Sequence, residues 1–183
     1  MGYTTLDAFK SFAGFDEDDE DELLAALIDS ATYVIENFTQ RKFDADEATD
    51  QTFSRLNLPN ESRFSGDSLY FYEEMADEAV TISDTPTVTY MPEDGPPYLG
   101  MYKTDGSWSY PTVTINAYWG YSKTVPPDVE MACLRLAKWL YDLKDTSQGS
   151  AAVITPEGSV LLPSGLPNDV LVLLKPYKKV TSV

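Results

Sequence analysis

The densest run of side chains able to do chemistry is DEDDEDE, Asp16 to Glu22. Carboxylates this close together suggest two chemistries, ligation of a hard cation and acid–base work by a carboxylate pair. A calcium loop needs oxygen ligands at alternating positions and a glycine at its sixth, and the run has no such glycine. A hydrolase built on two carboxylates needs only that they stand close together. With 30 acidic residues in the chain some close pair is inevitable, so the run carries no signal for that reaction. It reads instead as the solvated acidic start of a helix, where negative charge meets the positive end of the helix dipole.

Other routes to catalysis close quickly. The chain has no histidine, which removes Ser–His–Asp and Cys–His chemistry and the commonest zinc ligand. Cys133 is the single cysteine, so no internal disulfide forms, and it stands in an apolar helical pattern where a thiol acts as a small hydrophobe. Lone glycines such as Gly100 and Gly106 build no phosphate loop, and no GxxxxGK[ST] occurs. Neither an enzymatic reaction, a metal nor a cofactor is expected.

The formal net charge is −17, which repels phosphate and opposes tight wrapping of nucleic acid. No apolar run approaches the roughly 18 residues that cross a bilayer, so no membrane is expected. The N-terminal stretch MGYTTLDAFKSF lacks the basic start and apolar stretch of a secretory signal, and Leu6 breaks the myristoylation pattern.

The elements that must position these residues read as an α+β chain. A short helix is expected over about 4–12, with Thr4 and Asp7 as its capping pair and Gly14 at its end. Leu23, Leu24, Leu27, Ile28, Ala31, Val34, Ile35 and Phe38 recur at helical spacing and predict a long amphipathic helix over about 19–39. From about 50 to 123, short β-branched and aromatic runs alternate with turn residues, which predicts an inserted antiparallel β section. Asp105-Gly106, between MYKT and SWSY, reads as a hairpin turn. PEDGPPY, Pro92 to Tyr98, reads as a loop. Pro126 and Pro127 then start a helix over about 127–144, since a proline in the first turn lacks only an N–H that would be orphaned anyway. WGYSKTVPP is thus a strand-to-helix joint. In this third helix, Met131, Leu134 and Tyr141 fall outside the main apolar stripe, so a second face needs covering, by the β section or by another copy of the chain. Residues 145–166 read as a long flexible loop, 167–175 as a last short helix, and 175–183 as a C-terminal tail carrying Lys175, Lys178 and Lys179. The whole, 1–183, is read as one domain.

Three of these segments, in order, carry a family resemblance. Asp19–Phe43 resembles the first long helix of the gp6-like head–tail connector (adaptor) proteins of tailed phages. Val125–Tyr141 resembles that family's proline-started helix after a strand ending near WGY, and Leu166–Lys179 its closing segment. Family members often place a glycine after the first helix, where this chain has Gln40. The resemblance implies a virion protein of the head–tail neck, assembled in the host cytoplasm. It implies a ring of this chain, commonly of twelve subunits, docked beneath the portal protein and extending the DNA channel toward the next stopper or tail protein. On that footing Asp16, Glu17, Asp18 and Asp19 are candidates to face the channel, so that DNA passes without specific binding. Met131, Leu134 and Tyr141 are candidates for the subunit interface, and Lys175, Lys178 and Lys179 for docking on the portal. The rival from another class is a carbohydrate-binding module, whose sugar platform would come from Tyr70, Tyr72, Tyr90, Tyr98, Tyr102, Trp108, Tyr110, Tyr118 and Trp119.

Overall fold

The computed structural model describes residues 2–54, 64–108, 111–143, 153–154, 160–161 and 165–179. The elements group into two compact units, a helical one of Met1–Arg41 with Val125–Val183 and a β-rich one of Lys42–Thr124. The expected loop over 145–166 and the far end of the tail fall largely outside the described residues.

The helical unit follows from apolar spacing. Helix α1 (Leu6–Ala13) is capped by Thr5, whose hydroxyl oxygen accepts the Ala8 N–H at 3.2 Å. The cap thus sits one residue later than the Thr4–Asp7 pattern predicts, and Thr4 is buried instead. Gly14, in the left-handed conformation, closes the helix with its N–H on the Lys10 carbonyl. Helix α2 (Asp21–Thr39) buries Leu24, Leu27, Ile28, Ala31 and Ile35. Helix α3 (Pro127–Leu143) buries Val129, Ala132, Cys133, Leu136, Ala137 and Leu140. It packs against α2 and against the short α4 (Asn168–Leu174), which contributes Val170 and Leu174. Each large side chain so buried stabilises the fold by about 1.5–3 kcal/mol. Two strands of two residues, β8 (Val153–Ile154) and β9 (Val160–Leu161), pair antiparallel; a 3-10 turn, Lys175–Tyr177, follows α4. No helix among the described residues is long and apolar enough to cross a membrane.

The N-terminal segment is tied to α2 by contacts that the sequence pattern does not reveal. The Tyr3 N–H donates to Thr32 Oγ1 at 3.0 Å, and the Tyr3 hydroxyl donates to Glu36 Oε1 at 2.7 Å. A similar tie holds the other end of α2. The Lys179 N–H donates to the Thr39 carbonyl at 2.8 Å, and Arg41 Nη1 donates to the Tyr177 carbonyl at 2.8 Å. Gln40 ends α2 in the left-handed conformation, with φ of 56° and its N–H on the Glu36 carbonyl. Its side-chain amide donates to the Asn37 carbonyl at 2.7 Å.

Among the described residues the β-rich unit contains seven strands: β1 (Thr49–Ser54), β2 (Phe64–Ser65), β3 (Ser68–Met75), β4 (Thr81–Ile82), β5 (Val88–Met91), β6 (Tyr98–Lys103) and β7 (Thr112–Ala117). They form two antiparallel sheets, ordered β1-β7-β4 and β2-β3-β6-β5. The inner side chains of both pack as one core that includes Phe53, Leu69, Phe71, Met101, Val113 and Ile115. The expected α+β class and the antiparallel section between the helices both hold. The hairpin at Asp105-Gly106 does not. The strand before it, β6, pairs with β3 and β5, whereas the next strand, β7, lies in the other sheet. Trp108 of SWSY is a core side chain, not part of a returning strand.

The WGY joint depends on close backbone approach. Trp119 Nε1 donates to the Thr49 carbonyl at 2.9 Å, and the Gly120 N–H to the Glu74 carbonyl at 2.7 Å. A Cβ at position 120 would lie 2.9 Å from Ala45 Cβ and 3.1 Å from the Lys42 carbonyl oxygen. Only glycine fits there.

Candidate functional site

The acidic run is a shelf rather than a helical turn. Helix α2 starts only at Asp21, so Asp16 to Glu20 form the connection from α1. Phe15 anchors this connection, with its ring against Phe9 (centroids 6.1 Å apart) and edge-on to Tyr141 at 4.7 Å. Lys10 bridges its two sides, with Nζ 2.8 Å from Asp21 Oδ1 and also bonded to Asp18. This pairing, first through the hydrogen bond and then through charge, holds the Asp18 carboxyl below its ordinary range. It also raises the Lys10 ammonium, again chiefly through its hydrogen bonds to Asp18 and Asp21. The four expected channel residues, Asp16, Glu17, Asp18 and Asp19, are all exposed. Asp16, Glu17 and Asp19, but not Asp18, rim a recess of about 480 Å³ with Phe15 and Leu24 in its lining.

The three basic residues gather at the opposite end of α2. Lys175 caps α4 and is exposed; Lys178 is exposed, with Nζ 5.2 Å from the centre of the Phe38 ring; Lys179 is half-buried. Nineteen helical residues separate the two ends, a span of about 28 Å. Carboxylates at the start of the helix and cations past its end both suit its dipole.

The three expected interface residues on α3 part company. Met131 is half-buried and keeps surface. Leu134 is 7% exposed and offers almost nothing to a neighbour. Tyr141 is half-buried, with its ring on Phe15 and its hydroxyl donating to Glu20 Oε2. On α3 the apolar residues off the main stripe are therefore largely covered within the chain.

Cys133 is fully buried beside Thr32, with Sγ 3.7 Å from Oγ1. Burial pushes its thiol up from 9.0 to about 11, so it packs as a hydrophobe and is not a nucleophile. Among the described residues no group of three or more Cys, Asp or Glu could hold a metal ion. The rings of the expected sugar platform divide: Tyr98, Trp108 and Trp119 are core at 9%, 1% and 5% exposed, Tyr90, Tyr102 and Tyr118 are half-buried, Tyr70 and Tyr72 are exposed, and Tyr110 lies outside the described residues.

Comparison with known proteins bears out the family resemblance. The model of the phage gp6-like head-tail connector protein matches residues 3–90, just under half of the chain, from the N-terminal tie through α1 and α2 into the β-rich unit. Two solved chains share the fold over nearly the whole length, each at 14% identity. One, from "Neck of native GTA particle computed with C12 symmetry", has a TM-score of 0.60 and covers 97% of this chain and 90% of that one. The other, from "Virion of native gene transfer agent (GTA) particle", has a TM-score of 0.52 and covers 99% and 92%. No curated protein matches.

Proposed function

We propose, from the premise that the first half of this chain carries the gp6-like connector pattern, that it is a structural subunit of a head–tail neck. In this reading copies of the chain close into a ring, of twelve subunits, beneath the portal. The ring prolongs the DNA channel and offers its far face to a stopper or tail protein. It resides in the virion after assembly in the host cytoplasm, and it performs no reaction.

The observation that carries the reading is the match of residues 3–90 to the connector family. The fold shared with a chain from a neck particle computed with C12 symmetry supports it and motivates the copy number. Charge is consistent with a conduit: twelve copies at −17 each carry on the order of −200 formally, partly screened by salt. Asp16, Glu17 and Asp19 are the channel or rim candidates, with Asp18 tied to Lys10. Met131 is the interface candidate on α3 that retains surface, and Lys175, Lys178 and Lys179 are the portal candidates.

Electron microscopy of the purified protein, with and without the portal protein, tests this. Rings in either sample support it; monomers in both overturn it. A ring with Asp16–Glu22 on its outer wall would remove the channel role, and portal binding unchanged by deletion from Lys178 onward would remove the basic end from docking.

A further inference from the structure

A second cleft lies within the β-rich unit. Its volume is about 340 Å³, and Glu78, Val88, Thr89, Tyr90, Glu93 and Tyr98 line it. Strand β5 ends at Met91 and β6 begins at Tyr98, so the intervening turn brings Tyr98 back beside Tyr90. Their rings stack with centroids 4.9 Å apart and planes 30° from parallel. The Tyr90 hydroxyl is fixed by accepting the Ala79 N–H at 3.1 Å.

Two carboxylates flank the rings. Glu93 accepts the Tyr102 hydroxyl at 2.8 Å through one oxygen, which leaves the other available. The exposed Glu78 carboxylate has no hydrogen bond or ion pair among the described residues. Both tyrosines ionise above their ordinary range, first because of burial and then because of the nearby Glu78 and Asp77 charges, which marks the cleft as electronegative. Two lysines of this unit are engaged elsewhere. Lys123 pairs with Asp77 at 3.1 Å and lies over the Tyr118 ring at 4.0 Å; Lys103 pairs with Asp105 at 3.4 Å.

The half-buried Tyr90 ring, backed by the buried Tyr98 stacked on it, is electron-rich on its face and attracts a cation, and the carboxylates add directed charge. The cleft is small, near the low end of the roughly 300–1,000 Å³ range of ligand sites, so it suits one side chain rather than a cofactor. An ammonium or guanidinium on an apolar stem satisfies both the rings and the acids. A second copy of this chain has lysines at its basic end, Lys175, Lys178 and Lys179, but would bring another −17 overall, so net charge favours a basic partner. We propose that this cleft receives a lysine or arginine side chain from a basic segment of a different protein. The site does not depend on the connector reading.

The probe is a fluorescein-labelled tetra-arginine peptide, titrated by anisotropy against the full chain at about 0.15 M salt, where the screening length is roughly 8 Å. The double variant Glu78→Gln with Glu93→Gln is compared with Asp16→Asn with Glu17→Gln, which removes the same charge at the acidic shelf. Tyr90→Leu removes one ring and no charge. The expected result is a loss of about tenfold for the cleft pair and for Tyr90→Leu, and under about twofold for the shelf pair. Circular dichroism should be unchanged in the two exposed-residue pairs, which keeps the comparison valid if Tyr90→Leu misfolds. Equal losses in both pairs would mean diffuse attraction and overturn the proposal, as would absence of peptide binding to the unaltered chain. Self-association abolished by the cleft pair alone would assign the cleft to a second copy and overturn it too.

Discussion

Cys133 shows how far a residue's surroundings set its chemistry. A thiol pushed from 9.0 to about 11 by burial stays protonated in the folded chain through the range where the unfolded chain loses its proton. Between those values the folded state binds more protons, so stability falls as pH rises from about 9 toward 11. Chemical denaturation across that range should show the decline, and Cys133→Ala should flatten it. Gln40 offers a second test. A non-glycine residue at φ of 56° is strained, so Gln40→Gly should raise stability by about 0.5–1 kcal/mol, read as a higher denaturation midpoint. The glycine common at this place in the resembled family, absent here, marked the strained position before any geometry was known.

Elements separate what sequence can reveal from what it cannot. Helices α2 and α3 were legible because one-sided burial imposes a period on apolar residues, and Pro127 marked the start of α3. The sheets were legible as strands but not as pairings. Asp105-Gly106 has hairpin chemistry, yet a turn fixes only local direction, and the strands on either side of it joined different sheets. Strand β1, TDQTFS, buries only Phe53 and so shows little pattern. The acidic and basic runs were visible as composition, but the Lys10 bridge across the shelf and the Tyr90–Tyr98 stack depend on backbone paths that composition does not encode. On α3, burial predicts a contrast between neighbours. Leu134→Asp forces a charge into the interior and should cost well over about 3 kcal/mol, with loss of helical circular dichroism. Met131→Asp should leave a folded chain and, on the ring reading, weaken assembly. At the shelf, Lys10→Met should release Asp18 and Asp21 and speed amide exchange over residues 15–20. The Asp18 contribution is present above its ordinary 3.8 and is lost as pH falls through its lowered value, so the difference between variant and parent should shrink in acid.

For the whole molecule, charge dominates. Copies at −17 repel one another over distances set by salt, with a screening length near 30 Å at about 0.01 M and near 10 Å at about 0.1 M. If the chain closes on itself as proposed, rings should become more populated as ionic strength rises, measured by sedimentation. The tetra-arginine probe should respond in the opposite sense. The two salt slopes together distinguish contacts between copies from contacts with a basic partner.

The helical unit is made from segments that precede and follow the β-rich unit in the sequence, and that order sets a schedule. During synthesis α2 leaves the ribosome before the β strands, and α3 and the segment that ties Thr39 and Arg41 emerge after them. Strands β1 to β7 have all their partners by residue 117 and can complete first. Until α3 emerges, the apolar face of α2 lacks the helix it packs against, so nascent chains halted before that point are the form in which this protein is most exposed to chaperones and proteases.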